Sequence, residues 1–66
     1  MKNSIKVERA KLNITQDDLA KAVSVSRQTI NSIETNRYVP STILALKIAR
    51  FFKTTVDEIF KLEHKD

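Results

Sequence analysis

Apolar residues recur along the chain at spacings of three and four, and alternation of apolar with polar positions is scarce, so the pattern predicts helices rather than strands. A hydroxyl residue stands just before four of the apolar-periodic segments, at Thr15, Ser26, Ser41 and Thr55. There its oxygen can accept a hydrogen bond from a first-turn amide that has no partner within the helix. Asp18 follows Thr15, and Glu58 follows Thr55, at the spacing of a capping box; the second pair matches it in type, and the first is its shorter acidic analogue. These signals divide the chain into five helices, over about 3–12, 16–23, 27–35, 42–52 and 56–61. No linker, repeat or low-complexity tract interrupts them, and residues 1–66 read as one all-α domain.

Stepping about 100° per residue assigns the inward faces. In the first helix Ile5 and Leu12 share a stripe, and Arg9 falls on it between them, so that a charged residue on a core-facing line needs a partner. The second helix turns Leu19, Ala20 and Val23 inward and Asp17, Asp18 and Lys21 outward. The fourth, the most apolar, offers Ile43, Leu44, Ile48, Ala49 and Phe52 to the core. Its Lys47, Arg50 and Lys53 form a solvated face or a distal phosphate clamp. Val56, Ile59 and Phe60 close the domain.

The third helix differs in kind. Only Ile30 and Ile33 are apolar, and the face opposite them consists of Gln28, Asn31, Ser32 and Thr35. A solvated face would be expected to carry Lys and Glu, which are better helix formers than Asn, Ser and Thr. Amides and hydroxyls are the groups that read base edges: Gln or Asn pairs with adenine, and Ser or Thr donates or accepts. Arg27, near the helix start, is placed to reach guanine or a phosphate. Periodicity alone leaves two readings open, a base-reading face and a merely polar surface.

The spacing to the preceding helix favours the first. Val23 to Ser26 make a tight turn between two short helices, with Val25 as an apolar plug beneath it, which are the dimensions of a helix-turn-helix over about residues 16–35. In that arrangement the second helix lies in the major groove and the first crosses the phosphate backbone. Gln16, at the start of the first of the two, becomes a phosphate contact supported by the positive end of the helix dipole.

Composition narrows the alternatives. At 66 residues the fold hides only about 60% of its unfolded surface, leaving no room for a substrate-sized cavity and favouring a shared interface with a second copy. There is no cysteine and no glycine, and one histidine, His64, reads as a solvated tail residue. Disulfides, thiolate metal sites and paired acid–base chemistry are thereby excluded, and no cofactor or enzymatic activity is expected. Ser26 and Thr29 have no base beside them in the motif that would make either a nucleophile. No apolar run approaches the roughly 18 residues of a membrane span, so a cytoplasmic protein is expected. The net charge of +4 makes nucleic acid a plausible partner, while the acidic bias of residues 54–66 suits a surface held away from phosphates.

The run Thr15-Gln16, Leu19-Ala20, Val25-Ser26-Arg27, Ile30, Glu34, then Pro40-Ser41, Leu46 and Ile48-Ala49, resembles the Cro and phage-repressor type of helix-turn-helix, also called the xenobiotic-response-element family. The resemblance covers nearly the whole chain, and its motifs are specific when all occur in order. It implies a compact five-helix, lambda-repressor-like DNA-binding domain and a dimeric transcriptional repressor. It implies that Gln16 meets a phosphate, that Arg27, Gln28 and Ser32 read bases, and that Asn36, Arg37 and Tyr38 follow onto the backbone; Asn31 and Thr35 enter through the face analysis. Tyr38 equally suits a role covering the loop, and Pro40 fixes the approach to the fourth helix. The resemblance also implies that Arg9 pairs with Glu34, which the helical projection independently places beside the inward side of the third helix. Ser24 stands where the family often has glycine, so a positive φ there would carry modest strain.

One recognition helix contacts too few bases for tight binding, so two copies are expected on half-sites about 34 Å apart. The expected dimerisation element is about 51–66, with Phe51, Val56, Phe60 and Leu62 as its apolar groups, and residues 61–66, with the first few residues, are expected to add a terminal strand pair or an extra contact. The leading expectation is a homodimeric repressor on a palindromic operator in double-stranded DNA. The alternative is an antitoxin or other protein-interaction module in which DNA binding is secondary. No small-molecule substrate is evident.

Overall fold

The computed structural model describes all residues 1–66. Five helices follow one another, α1 (Ile5–Leu12), α2 (Gln16–Ala22), α3 (Arg27–Glu34), α4 (Thr42–Phe51) and α5 (Val56–Ile59), flanked by two short strands, β1 (Lys2–Asn3) and β2 (Phe60–Lys61). The strands pair antiparallel, Lys2 with Lys61 and Asn3 with Phe60, and Ser4 N–H donates to the Ile59 carbonyl at 3.0 Å to complete the closure. The outer helices are therefore shorter than the periodicity indicated. Residues 3 and 60–61 belong to strands, because the two chain ends satisfy each other's backbone groups; the terminal strand pair expected of the chain ends is present, and only the helical bounds at 3 and 60–61 give way to it.

All four hydroxyl caps form. The side chains of Thr15, Ser26, Ser41 and Thr55 accept from the amides of Asp18, Thr29, Leu44 and Glu58. The reciprocal box, however, is at Thr15. Its amide donates to Asp18 Oδ2 at 2.9 Å and its hydroxyl accepts from Asp18 N–H at 3.0 Å. That backbone bond is the main reason the Asp18 carboxyl lies below the usual carboxylate range. Glu58 returns no bond to Thr55.

The first four helices end alike, without glycine. Asn13, Ser24, Asn36 and Lys53 have φ of 56°, 62°, 63° and 58°. In each case that residue and the next donate back to the last turn: Asn13 to Ala10 and Ile14 to Arg9, Ser24 to Lys21 and Val25 to Ala20, Asn36 to Ile33 and Arg37 to Ser32, Lys53 to Arg50 and Thr54 to Ala49. These are Schellman endings, which glycine fills most cheaply and asparagine next. Ser24 and Lys53 bear the steric cost of the left-handed region. Replacing either by glycine relieves that cost but adds freedom to the unfolded chain, so Ser24→Gly and Lys53→Gly are expected to be neutral or stabilising by up to about 1 kcal/mol. Thermal melts check this, and a marked loss of Tm in both would show that the side chains matter more than the backbone geometry.

The twelve buried residues are all apolar, with Ile5, Leu19, Ile30, Ile33, Ile48 and Ile59 essentially inaccessible. Two positions expected in the core lie outside it. Leu12 is 52% exposed; the left-handed Asn13 returns the chain, and Ile14 packs against the core instead. Ile43 is 69% exposed because the buried stripe of α4 is Leu44, Ala45, Ile48 and Ala49, and Ile43 lies about half a turn from its centre. Ala45 is the core position that the projection omitted. No helix is long and apolar enough to cross a membrane.

Candidate nucleic-acid interface

Within this frame α2 and α3 form the most closely packed pair of helices. The turn between them follows from its residues: Val23 is buried, Ser24 takes the left-handed conformation, Val25 packs beneath, and Ser26 caps α3. Ile30 and Ile33 anchor α3, leaving Arg27, Gln28 and Thr35 exposed and Asn31 and Ser32 half-buried. The face proposed from periodicity is thus presented as a face, but its four members are not equivalent. Thr35 donates its hydroxyl hydrogen to the Asn31 carbonyl at 2.8 Å and is left as an acceptor only. Asn31 is bonded through its Oδ1. Gln28 and Ser32 are unengaged, and together with Ser26, Thr29 and Tyr38 they line a shallow depression of about 300 Å³.

Arg9 finds its partner. Its Nε donates to Glu34 Oε2 at 2.6 Å and its Nη2 to Glu34 Oε1 at 3.0 Å, while Nη1 reaches the Ile14 carbonyl at 3.1 Å. The two side chains are 14% and 6% exposed, and the hydrogen bonds to Glu34 raise the guanidinium pKa above its ordinary value. The fork ties α1 to the end of α3.

Gln16 does something the sequence did not indicate. Its Nε2 donates to Asn31 Oδ1 at 3.1 Å and to Glu34 Oε1 at 3.2 Å, so both amide hydrogens are spent inside the molecule. The main-chain N–H groups of Gln16 and Asp17 at the start of α2 have no cap, since the Thr15 hydroxyl takes only the Asp18 amide. Asp17, also in that first turn, is paired with Lys21 at 3.2 Å.

Asn36, Arg37 and Tyr38 follow α3 and are exposed. Asn36 carries the left-handed turn, and its side-chain oxygen accepts from Asn3 Nδ2 at 3.3 Å. Asn3 was missed by the sequence reading. Its Nδ2 also donates to the Ile33 carbonyl at 2.9 Å, so the terminal strand pair is fastened to the end of α3. Nothing in the local pattern marks an asparagine thirty residues away as the stop for that helix.

The apolar groups expected at a dimer interface are distributed differently from the expectation. Phe60 is buried in its own core, and Phe51 and Val56 pack partly against it, because β2 turns this end inward; Leu62, at 82% exposure, remains free. The other exposed apolar groups are Val7 and Leu12 on α1 and, more exposed as a group, Val39, Ile43 and Leu46 at and before the outer face of α4. A groove of about 750 Å³ runs from there to the start of α5, with Lys47, Arg50 and Asp57 among its lining residues.

The helix-turn-helix family pattern matches residues 5–59. An uncharacterised HTH-type transcriptional regulator of Methanocaldococcus jannaschii is 54% identical over 63 residues, covering 96% of each chain. One of Bacillus subtilis is 42% identical over the full length of both, and one of Archaeoglobus fulgidus is 46% identical over all of this chain and 93% of its own. With the five helices, the capped turn and the Arg9–Glu34 bridge in place, the chain belongs to the Cro and phage-repressor type of helix-turn-helix, a family of DNA-binding transcriptional regulators.

Proposed function

We propose that the chain is a repressor that binds a palindromic operator as a homodimer, laying α3 of each copy in the major groove. The observation that carries this reading is the neutral face of α3. Gln28 and Ser32 are unengaged and exposed or half-exposed on a helix whose other side is locked into the core. Gln28 reads a base edge bidentately, Arg27 reaches guanine or a phosphate at the rim, and Ser32 and Thr35 offer hydroxyl oxygens. Main-chain amides at Gln16, with Asn36, Arg37 and Tyr38, meet the phosphates on either side. Repression follows from occupancy: the bound protein excludes others from the DNA it covers.

Pairing of two copies uses the outer face of α4, where Ile43 and Leu46 stand exposed, with Leu62 and the accessible edge of Val56 beside them. Lys47, Arg50 and Asp57 line the groove beside this face, so charges of both signs border the apolar groups offered to a second copy. Sedimentation is expected to give twice the 7.6 kDa protomer mass for the parent chain and a monomer for Ile43→Glu with Leu46→Glu. A parent chain that sediments alone as a monomer and pairs only with another protein would favour the interaction-module reading.

The test of DNA reading begins with duplexes selected from a randomised library. Binding to the selected site should exceed binding to a scrambled one by on the order of 10³ and fall steeply with salt. Gln28→Ala is expected to cost about 1–3 kcal/mol at one base position and little elsewhere. Equal affinity for selected and scrambled duplexes would defeat the proposal.

A further inference from the structure

The Arg9–Glu34 bridge does more than hold two helices together. Arg9 donates to both oxygens of Glu34, and a carboxylate can only accept. The Gln16 side chain that reaches Glu34 Oε1 at 3.2 Å must therefore face it with its NH2 group, since its oxygen there would set acceptor against acceptor. The second hydrogen of that NH2 meets Asn31 at 3.1 Å, and a donor facing Asn31 requires an acceptor in return. Asn31 is thus turned with its oxygen inward and its own NH2 outward. The orientation of an amide is ordinarily ambiguous, because oxygen and nitrogen are nearly alike in shape. Here a bridge with side chains only 14% and 6% exposed settles two amides in succession.

Asn31 lies half-buried on the same face of α3 as Gln28 and Ser32. An asparagine free to present both its groups pairs with adenine, its oxygen accepting from the N6 amino group while its nitrogen donates to N7. With the oxygen turned to Gln16 and one of its two lone pairs taken there, the bidentate pairing is disfavoured: adenine N7 can still accept from the NH2, but the N6 amino group has no acceptor presented beside it. The geometry points to Asn31 as a base reader that offers a donor, oriented by Gln16 as a positioning residue: it favours guanine, where N7 and O6 both accept, or thymine through O4, over adenine, where N7 accepts but the N6 amino group finds no partner, and over cytosine. This rests on the reading of α3 as the base-reading helix.

Selection from a randomised duplex library by the parent chain, Asn31→Ala, Asn31→Asp and Gln16→Met tests it, with thermal melts establishing that each is folded. The parent chain is expected to select, in each half-site, one position of guanine or thymine whose preference vanishes in Asn31→Ala. In Gln16→Met, which keeps the length of the side chain but has no donor, Asn31 can turn and the same position should admit adenine. Placing adenine there should weaken binding of the parent chain about fivefold, the effect of one unmade hydrogen bond, and that of Gln16→Met less than about twofold. Asn31→Asp keeps the bond from Gln16 but presents only acceptors, so guanine and thymine should give way to cytosine or adenine, whose amino groups donate. Adenine or cytosine at the position governed by Asn31 in the parent chain, or an unchanged preference in Gln16→Met, would overturn the inference. So would equal loss at every position in Asn31→Ala, the mark of a phosphate contact. Should Gln16→Met fail to fold, the outcome in Asn31→Asp decides by itself. A parent chain that enriches no motif at all would remove the base-reading assignment of α3 and this inference with it, a result distinct from enrichment that ignores Asn31.

Discussion

Arg9→Ala is expected to bring the domain close to unfolding at ordinary temperature. The substitution leaves Glu34, 6% exposed, as a charge whose only remaining side-chain donor is the Gln16 amide, and breaking one partner of such a pair costs about 3–5 kcal/mol. A domain of 66 residues has on the order of 3–10 kcal/mol in total, and each kcal/mol moves its Tm by about 4–8 °C, so a fall of roughly 15–30 °C is expected in a melt followed by circular dichroism. The pair itself adds little net stability, because desolvation of both charges offsets most of their attraction. Arg9→Met combined with Glu34→Leu should therefore recover most of the loss. A shift of less than about 5 °C for Arg9→Ala would mean that water reaches Glu34 freely. The double variant separates two roles: it should melt near the parent chain yet lose the base preference that depends on Asn31, since nothing then fixes the Gln16 amide.

Ile30→Ala is the second large effect. Ile30 is wholly buried on the inner side of α3, and truncating it removes three carbons from a close-packed core for a loss of about 2–5 kcal/mol. Denaturant titration should show the midpoint fall, and DNA binding should fall in proportion to the fraction unfolded. Ser32→Ala, two residues on, is the contrast. Its hydroxyl makes no hydrogen bond within the molecule, so stability should change by less than about 0.5 kcal/mol while affinity for the selected duplex drops. If Ile30→Ala left the midpoint within that margin, the core would be looser than its burial implies.

Much of this was legible along the chain. The four caps at Thr15, Ser26, Ser41 and Thr55 depend on a hydroxyl and an amide three residues apart, a local matter, and all four formed. Helix boundaries were right to within a residue wherever such a cap or a left-handed ending marked them. Errors arose where a distant segment intervened. Residues 60–61 left the helix because Lys2 and Asn3 offered them a strand, so the expected terminal strand pair formed at the expense of the helix end. Phe60, expected both to close the domain and to face a second copy, went to the core by the same closure. Ile43 was assigned inward because α4 is apolar on more than one side, and a pattern apolar all round does not say which side will be covered.

The candidate site divides in the same way. By itself the sequence determined which face of the third helix is polar and uncharged, that Arg9 needed a partner, and that Glu34 stood where one was wanted, since periodicity and charge are properties of single residues at fixed angles. Only the tertiary structure decided that Gln16 spends its amide on Glu34 and Asn31, that Asn3 secures the end of α3, and that Thr35 bonds back to its own helix. Hydrogen bonds are directional and short, so whether a polar side chain is free to bind DNA depends on Å-scale placement of groups that lie fifteen or thirty residues apart in the chain.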